Sequence, residues 1–531
     1  MSKPFRNTTW AILALFVLLL LLSFRPISDP DIWFYLVQGR ELAVTGQIPP
    51  TEFYIFPAQG ETASYPALGF GLLYYFVHQA AGFPGMAALN ALAAAAGIAL
   101  MLFAVRQGDY RPARVAPYLI AGLSAYLLAE FRFVYRPENI LFVFLGAEFV
   151  ILERWLKTRR SELVFAVLPL VALLSLFHTS AVLLLVVLAI YATQYCIGMF
   201  TRWRVDLDKE AVIAISVIIL IGLTIWLNPN GLEQFLIILR SLRSINSDLI
   251  EYLPALQTEY RWHFIATSLL AALALFFAPR RRLVDWLLVA VFGSVAYIYA
   301  RNIGLFALVI VVPLTRALLH LQVRYAWPPA GRWLAGGLVV FAVVWTVATS
   351  RWGVGVDRDG VFVEAAQKLR TTGRANENLM NFFHHGGYLA WELGPRYKVA
   401  IDGHFVQPTF AAEYHDRVLR ADPDWEVLLA SHDVRYLLTP ATLPYSGDII
   451  PLVRVMAERN DWSLVSVEPA GLMFARDSAG DASRVLPPVD KREIWQQVLR
   501  EGSVLLATYP DNQAVRASIA EAQAMLSRGR P

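Results

Sequence analysis

Charge is scarce in this chain and cysteine nearly absent. Asp, Glu, Lys and Arg make up 17% of its 531 residues, against about 25% in soluble domains. With 57% hydrophobic residues, most of the chain belongs in lipid. Its one cysteine, Cys196, sits in an apolar run. No intrachain disulfide can form, so any exported part folds without one, and Cys196 reads as a small core residue. The net charge of +4 is too small to point to nucleic acid. No Rossmann or Walker phosphate loop is present, which argues against a nucleotide donor and against ATP drive. His384-His385 and Asp402-Gly403-His404 match no familiar zinc spacing, and adjacent histidines project in different directions. No metal is expected, and Gly386-Gly387 reads as a tight turn.

What the chain has in quantity is long apolar runs. A membrane helix needs about 20 mostly apolar residues. About eleven such segments are readable, near residues 8–24, 86–105, 115–131, 139–155, 162–178, 181–199, 211–227, 262–278, 283–300, 303–319 and 333–349. The first follows Lys3 and Arg6. Arg25-Pro-Ile-Ser28 is a poor cleavage site, so this run reads as an uncleaved anchor. With the N-terminus cytoplasmic, alternate loops are basic: Arg106, Arg111 and Arg114; Arg154, Lys157, Arg159 and Arg160; Arg202, Arg204 and Lys209; Arg280, Arg281 and Arg282; Arg316, Arg324 and Arg332. That is the positive-inside pattern. The odd count places everything after Ser350 outside, and a bacterial cytoplasmic membrane is the expected location.

The expected fold is an all-α polytopic membrane domain over 1–350, with outer loops at 25–85 and 228–261. A small soluble α/β domain follows over 351–477, then a linker and a helical pair over 478–531. In the first outer loop, Pro66 to Gly82 is amphipathic and suits an interfacial helix. In the α/β domain, Tyr397–Ile401 and Val434–Leu438 read as strands, and Trp462–Val467 with Leu472–Arg476 as a hairpin.

Candidate chemistry collects at the predicted outer edge. Asp29-Pro30 is a common turn, and Asp29 has a capping reading beside a functional one. At helical spacing Asp31 and Tyr35 share a face. A carboxylate there can take a proton from an acceptor as it attacks. Arg136, in Arg136-Pro137-Glu138, and Arg301 fall at outer helix ends. Each either snorkels to headgroups or holds an anion with its planar fork. The two-residue loop Arg301-Asn302 favours the second role for Arg301. His178 is either a polar helix terminus or a ligand.

Asp31-Ile-Trp33-Phe-Tyr35-Leu-Val-Gln-Gly-Arg40-Glu41, followed by Gly46-Gln-Ile-Pro49, resembles the first outer loop of GT-C glycosyltransferases. The aminoarabinose transferases and protein O-mannosyltransferases are the types in view. The resemblance implies an inverting membrane enzyme that moves a sugar from a polyprenyl-phosphate carrier to an extracytoplasmic acceptor (a protein, lipid or glycan), with Asp31 as general base. Asp29, Tyr35, Arg136, Glu138, His178 and Arg301 would bind substrate or carrier, and no cofactor is implied beyond the lipid-linked sugar. This chain departs from the pattern at Ile32, where those families usually have a second acidic residue; Asp29 is the alternative carboxylate. Asp29-Pro-Asp31-Ile-Trp33, Arg136-Pro-Glu138, Arg301-Asn302, Gly386-Gly-Tyr-Leu389 and Asp402-Gly403 together resemble a loose group of bacterial polytopic proteins in the same superfamily. Two other classes fit an apolar chain of this kind. One is a lipid or solute transporter, marked by acidic or broken helices at mid-membrane and an internal repeat, neither of which is legible here. The other is a non-catalytic assembly factor that uses the C-terminal helices.

Overall fold

The computed structural model describes residues 3–63, 65, 67–106, 115–200, 209–224, 252–277, 282–324, 330–349, 352–372, 377–403, 410–444, 446–476 and 486–528. Several sequence features lie outside the described residues: the end of the 211–227 run, the outer loop up to 251 with Glu233, Arg240, Arg243, Asp248 and Glu251, and residues Arg111, Arg114, Arg202, Arg204, Arg280, Arg281 and His404. Contacts divide the chain into two compact units. One comprises Met1–Ile27 and Tyr65–Gly355, the other Ser28–Ser64 and Val356–Pro531.

The first unit is helical. Its helices fall on the apolar runs, among them Lys3–Leu22, Leu68–Arg106, Ala116–Ala129, Pro137–Thr158, Arg261–Phe276, Leu283–Ile298 and Ala330–Ala348. Among the described residues, Leu68–Arg106, Thr179–Ile197 and Gly331–Ala348 are long and apolar enough to cross a membrane. Ala300–Val309 and Val311–Gln322 meet that condition together, bent by 42°. Thr8–Leu22, Glu162–Phe177, Arg261–Phe276 and Leu283–Ile298 are apolar but shorter. The bend near Ile310 has a local cause: Pro313 has no N–H for the Val309 carbonyl, and its ring crowds that turn. In Leu68–Arg106 the break is at Gly82, at φ 62 and ψ −159. That geometry is open to glycine, and Pro84 follows two residues on.

Small residues bring two of these helices close. A Cβ on Gly97 would lie 2.9 Å from the Phe142 carbonyl oxygen, and one on Gly146 would lie 2.9 Å from the Gly97 oxygen. Where lipid replaces water, such close backbone packing carries association. Asn139 Nδ2 donates to Asn90 Oδ1 at 2.6 Å, and Asn90 Nδ2 to the Phe133 carbonyl at 3.0 Å, which fixes the register. Near the other end of Pro137–Thr158, Glu153 accepts from Tyr191 Oη at 2.7 Å and Arg282 Nη1 at 3.1 Å. Arg316, which the basic-loop pattern puts in a loop, is instead buried in the helix Val311–Arg324. It pairs with Asp285 at 2.8 Å and Glu153 at 3.4 Å. A charge so poorly hydrated persists only with opposite charges beside it.

The second unit is built on a five-stranded sheet in the order β2-β1-β3-β5-β4. The strands are β1 (Glu377–Asn381), β2 (Tyr397–Val399), β3 (Val434–Thr439), β4 (Trp462–Glu468) and β5 (Gly471–Arg476). β1 pairs in parallel with β2 and β3; β5 runs antiparallel to β3 and β4. The expected hairpin forms, with Glu468 opposite Gly471. Strand β1 was not expected. Glu-Asn-Leu-Met-Asn contains no β-branched residue, and its place inside the sheet comes from tertiary pairing, which overrides propensity. Asn381 ties it to the chain after β2: its Oδ1 accepts from Ala400 N and its Nδ2 donates to the Ile401 carbonyl, each at 2.8 Å.

The segment after Ser28 adds to this unit. Ile55 bridges Val399 in parallel, and Val399 N donates to the Tyr54 carbonyl at 3.0 Å. The helices Arg492–Thr508 and Gln513–Arg528 supply Ile494, Trp495, Val498 and Ala522 to the same core as Met380, Leu437 and Phe474. Glu501 fastens them, accepting from the backbone N–H groups of Ala441 at 3.0 Å and Thr442 at 2.7 Å.

Gly386-Gly387 is not a tight turn. The pair opens the helix Gly386–Leu393, with Gly386 at φ −60 and ψ −45. Glycine is required there by space rather than by dihedral angle. A Cβ on Gly386 would run into the Ile401 carbonyl oxygen, and one on Gly387 would lie 3.0 Å from Phe34 N and 3.1 Å from Trp33 Cβ.

Candidate functional site

In the second unit the candidate residues are organised by the helix Asp31–Thr45. Asp29 Oδ1 accepts from Asp31 N at 2.9 Å, so a buried carboxylate satisfies one of the orphan donors of the first turn. Gly46, at φ 69, ends the helix in the left-handed conformation, its N–H on the Leu42 carbonyl. Ile32 to Gly39 are all buried. The Trp33 ring meets the Tyr388 ring edge-on at 5.0 Å. Arg40 donates to the carbonyls of Trp391 at 2.7 Å and Ala390 at 3.0 Å, with its guanidinium 4.9 Å from the Trp391 ring centroid. It therefore caps the C-terminal end of Gly386–Leu393, where carbonyls lack partners and a cation is favoured. The loop motif and the Gly-Gly-Tyr-Leu motif, far apart in sequence, are two halves of one helix pair.

Asp31 is half-buried. A Cβ on Gly403 would lie 2.5 Å from Asp31 Oδ1 and 3.5 Å from Phe34 Cε1. The bare glycine leaves room for the carboxylate. Beside it Asp402 is fully buried, and its Oδ2 accepts from Tyr54 Oη at 2.7 Å. Tyr54 is held in turn by Glu52, whose Oε1 accepts from the N–H groups of Phe53, Tyr54 and Ile55 at 3.0, 3.1 and 3.2 Å. Tyr35 is buried, its ring 4.1 Å from that of Phe34.

In the first unit four of the candidates converge. Glu138 lies in the first turn of Pro137–Thr158, just after Arg136, whose backbone is extended as a residue before proline prefers. Arg301 Nη2 donates to Glu138 Oε1 at 2.9 Å, and Arg132 Nη2 lies 3.7 Å from the same oxygen. His178 and Arg136 are within electrostatic reach of Glu138. Arg301 Nη1 donates to Tyr252 Oη at 2.9 Å, with the guanidinium 5.2 Å from that ring's centroid. His178 Nδ1 accepts from Ser180 N at 3.2 Å, so in the neutral ring the proton is on Nε2. Among the described residues, Glu138 thus has Arg301 and Arg132 beside it and Arg136 within electrostatic reach. Such a grouping, built on planar forks, suits an anion with several oxygens.

Sequence reasoning missed Arg132 and Tyr252. Arg132 carried a signal in Gly304, three residues past Arg301. A Cβ on Gly304 would lie 2.8 Å from Arg132 Cγ, so the glycine admits the arginine. Tyr252 carried no such mark. Among the described residues, no group of three or more His, Cys, Asp or Glu side chains could hold a metal ion. His385 is buried against Phe362, and burial, with His384 beside it, pushes its pKa down to about 3.

No family model and no curated protein sequence matches the chain. Solved structures do. ArnT from Cupriavidus metallidurans bound to undecaprenyl phosphate superposes with a TM-score of 0.54 at 13% identity, over 89% of this chain and 99% of that one. The archaeal oligosaccharyltransferase AglB from Archaeoglobus fulgidus, in complex with an inhibitory peptide and a dolichol-phosphate, gives 0.52 at 12% identity, over 89% and 75%. The Archaeoglobus fulgidus oligosaccharyltransferase tethered to an acceptor peptide containing the NVT sequon gives 0.54 at 11%, over 89% and 74%. At these identities the likeness is one of architecture, and it agrees with the helical first unit and the small sheet after it: the chain has the GT-C fold.

Proposed function

We propose that this protein is an integral-membrane glycosyltransferase that moves a sugar from a polyprenyl-phosphate carrier to an extracytoplasmic acceptor. The observation that carries this reading is the grouping of Arg132 and Arg301 at the carboxylate of Glu138, with Arg136 within electrostatic reach. The likeness to ArnT bound to undecaprenyl phosphate and to AglB with dolichol-phosphate supports a lipid-linked phosphate as the anion. The acceptor is a protein, lipid or glycan.

In this reading Asp31 is the general base, and Arg301, Arg136 and His178 bind the carrier phosphate with Glu138. Tyr35 binds substrate or carrier beside Asp31, and Asp29, which holds the Asp31 N–H, supports that turn. The acceptor's nucleophilic atom bonds to the anomeric carbon and gives its proton to Asp31. The bond from that carbon to the phosphate oxygen breaks, and its electron pair stays on the phosphate. The arginines stabilise the charge that develops there. Attack from the face opposite the leaving group inverts the anomeric centre. The alternating basic loops put the N-terminus in the cytoplasm of a bacterial cell, and about eleven spans, counted from the apolar runs, then put residues 351–531 outside. Thiol labelling of intact cells at Ser446→Cys, in a Cys196→Ser background, checks that orientation; labelling only after lysis contradicts it.

A second reading, a lipid transporter, draws on the 42° break between Ala300–Val309 and Val311–Gln322, because broken helices mark transporter sites. One experiment separates the two. Purified protein in proteoliposomes is given polyprenyl phosphates carrying radiolabelled sugars, together with membrane and periplasmic extracts as acceptors. Label moving to an acceptor, and lost in Asp31→Asn, is the expected result. Label that crosses the bilayer still attached to its carrier, equally in both proteins, supports transport instead.

A further inference from the structure

The proposed reaction changes the charge of the carrier. The donor is a phosphodiester with one negative charge. The product is a phosphomonoester, which above its second pKa of about 6 carries two. A site made only of arginines would hold the product more tightly than the donor and would slow its own turnover. This one includes a carboxylate. Glu138 Oε1 is 2.9 Å from Arg301 Nη2 and 3.7 Å from Arg132 Nη2, on the same forks that would meet the phosphate. The Glu138 and Arg301 side chains are 20% and 28% exposed, so water screens them only in part and their charges act at an effective dielectric well below that of bulk water. Arg136 and His178 are within electrostatic reach as well.

We infer that Glu138 sets the charge selectivity of the carrier site, disfavouring the doubly charged product relative to the singly charged donor and so promoting product release. This rests on the carrier phosphate binding at Arg301. The carboxylate repels each negative charge on the ligand, and the product has one more of them. The arginines attract both forms, with Glu138 acting as their internal counter-ion. Removing its charge strengthens binding of both ligands, and of the product form more. The carboxylate also holds Arg301 and Arg132 together in the empty site, where three cations would otherwise repel one another.

The test uses the full-length protein in nanodiscs at pH 8 and two probes with the same tail: undecaprenyl phosphate and its methyl diester. Affinities are measured for wild type, Glu138→Gln, Glu138→Asp and Arg301→Ala. Glu138→Gln is expected to tighten the monoester more than the diester, shifting the ratio of affinities on the order of tenfold. Glu138→Asp is expected to keep the wild-type ratio. A Glu138→Gln ratio equal to wild type, or shifted towards the diester, overturns the inference while leaving the carrier site standing, provided that Arg301→Ala weakens both probes. Unchanged binding of both probes in Arg301→Ala overturns the carrier site itself. If Glu138→Gln does not fold, Glu138→Met, of similar volume and without charge, is read by the same criteria.

Discussion

Asp31 and Gly403 are in direct contact, for a Cβ on Gly403 would stand 2.5 Å from Asp31 Oδ1. The atom in the way is the end of a side chain and not backbone, so a methyl group there turns the carboxylate without forcing the chain apart. Gly403→Ala is therefore expected to lower kcat for sugar transfer while leaving carrier affinity and the melting temperature close to wild type. Asp31→Asn should cost more, roughly 10²–10⁴-fold in transfer. Steady-state kinetics with a labelled donor check both. Full activity in Asp31→Asn would remove it as the base.

Asp29 faces a different test. Its carboxylate accepts from Asp31 N at 2.9 Å, a role that Asn fills equally well through its side-chain oxygen. Asp29→Asn should retain most activity and stability. Asp29→Ala, which leaves that donor without its acceptor, should cost about 1 kcal/mol, read from thermal unfolding. If Asp29→Asn abolishes transfer and Asp31→Asn does not, the carboxylates exchange roles.

Gly386 meets backbone where Gly403 meets a side chain. A Cβ there runs into the Ile401 carbonyl, and Asn381 already donates to that oxygen. Gly386→Ala must push apart the helix Gly386–Leu393 and the chain after β2, and the loss should exceed about 3 kcal/mol, the upper range of ordinary overpacking. The readout is the melting temperature or the yield of monodisperse protein; near-wild-type values would contradict the packing described.

Stability should depend on pH through His385. Its pKa is about 3 in the folded chain, lowered first by burial and then by His384, and about 6.5 when unfolded. Between those values the unfolded chain binds the extra proton, so stability falls as pH drops from about 6.5 towards 3. Glu468 and Glu501, both raised mainly by burial, act in the opposite sense, because the folded chain protonates them first as the pH falls. The share due to His385 is therefore read as a difference: melting temperatures from pH 7 to 4 should fall less steeply in His385→Phe than in wild type. Parallel curves would assign the pH dependence to other groups.

Carrier binding should rank the arginines. Arg301 bonds both Glu138 and Tyr252, and Arg301→Lys keeps the charge but loses the planar fork. Affinity for undecaprenyl phosphate should fall most in Arg301→Ala, then in Arg132→Ala and Arg136→Ala, with Arg301→Lys between Arg301→Ala and wild type.

Composition and periodicity by themselves determined that this is a helical membrane protein with a mixed α/β region after it. Burial in lipid or in a core requires runs such as 86–105 and 333–349 and strands such as Val434–Thr439 to be apolar, and that demand is written locally. The loop motif resembled that of GT-C glycosyltransferases, and it was legible because Asp31, Arg40 and Gly46 lie along one helix and its cap. Local pattern did not reveal β1, whose Glu-Asn-Leu-Met-Asn has no strand signature and which pairs only because β2 and β3 flank it. Nor did it reveal why Gly386 and Gly387 are glycines, since the reason is the position of Ile401 and Phe34. Arg132 and Arg301 meet at Glu138, through a contact between residues 163 apart in sequence. Arg316 has its charge answered by Asp285 and Glu153 on two other helices. Sequence spacing reports neighbours along an element. Which charges meet across elements, and where only a glycine fits, is set by the packing of the whole chain.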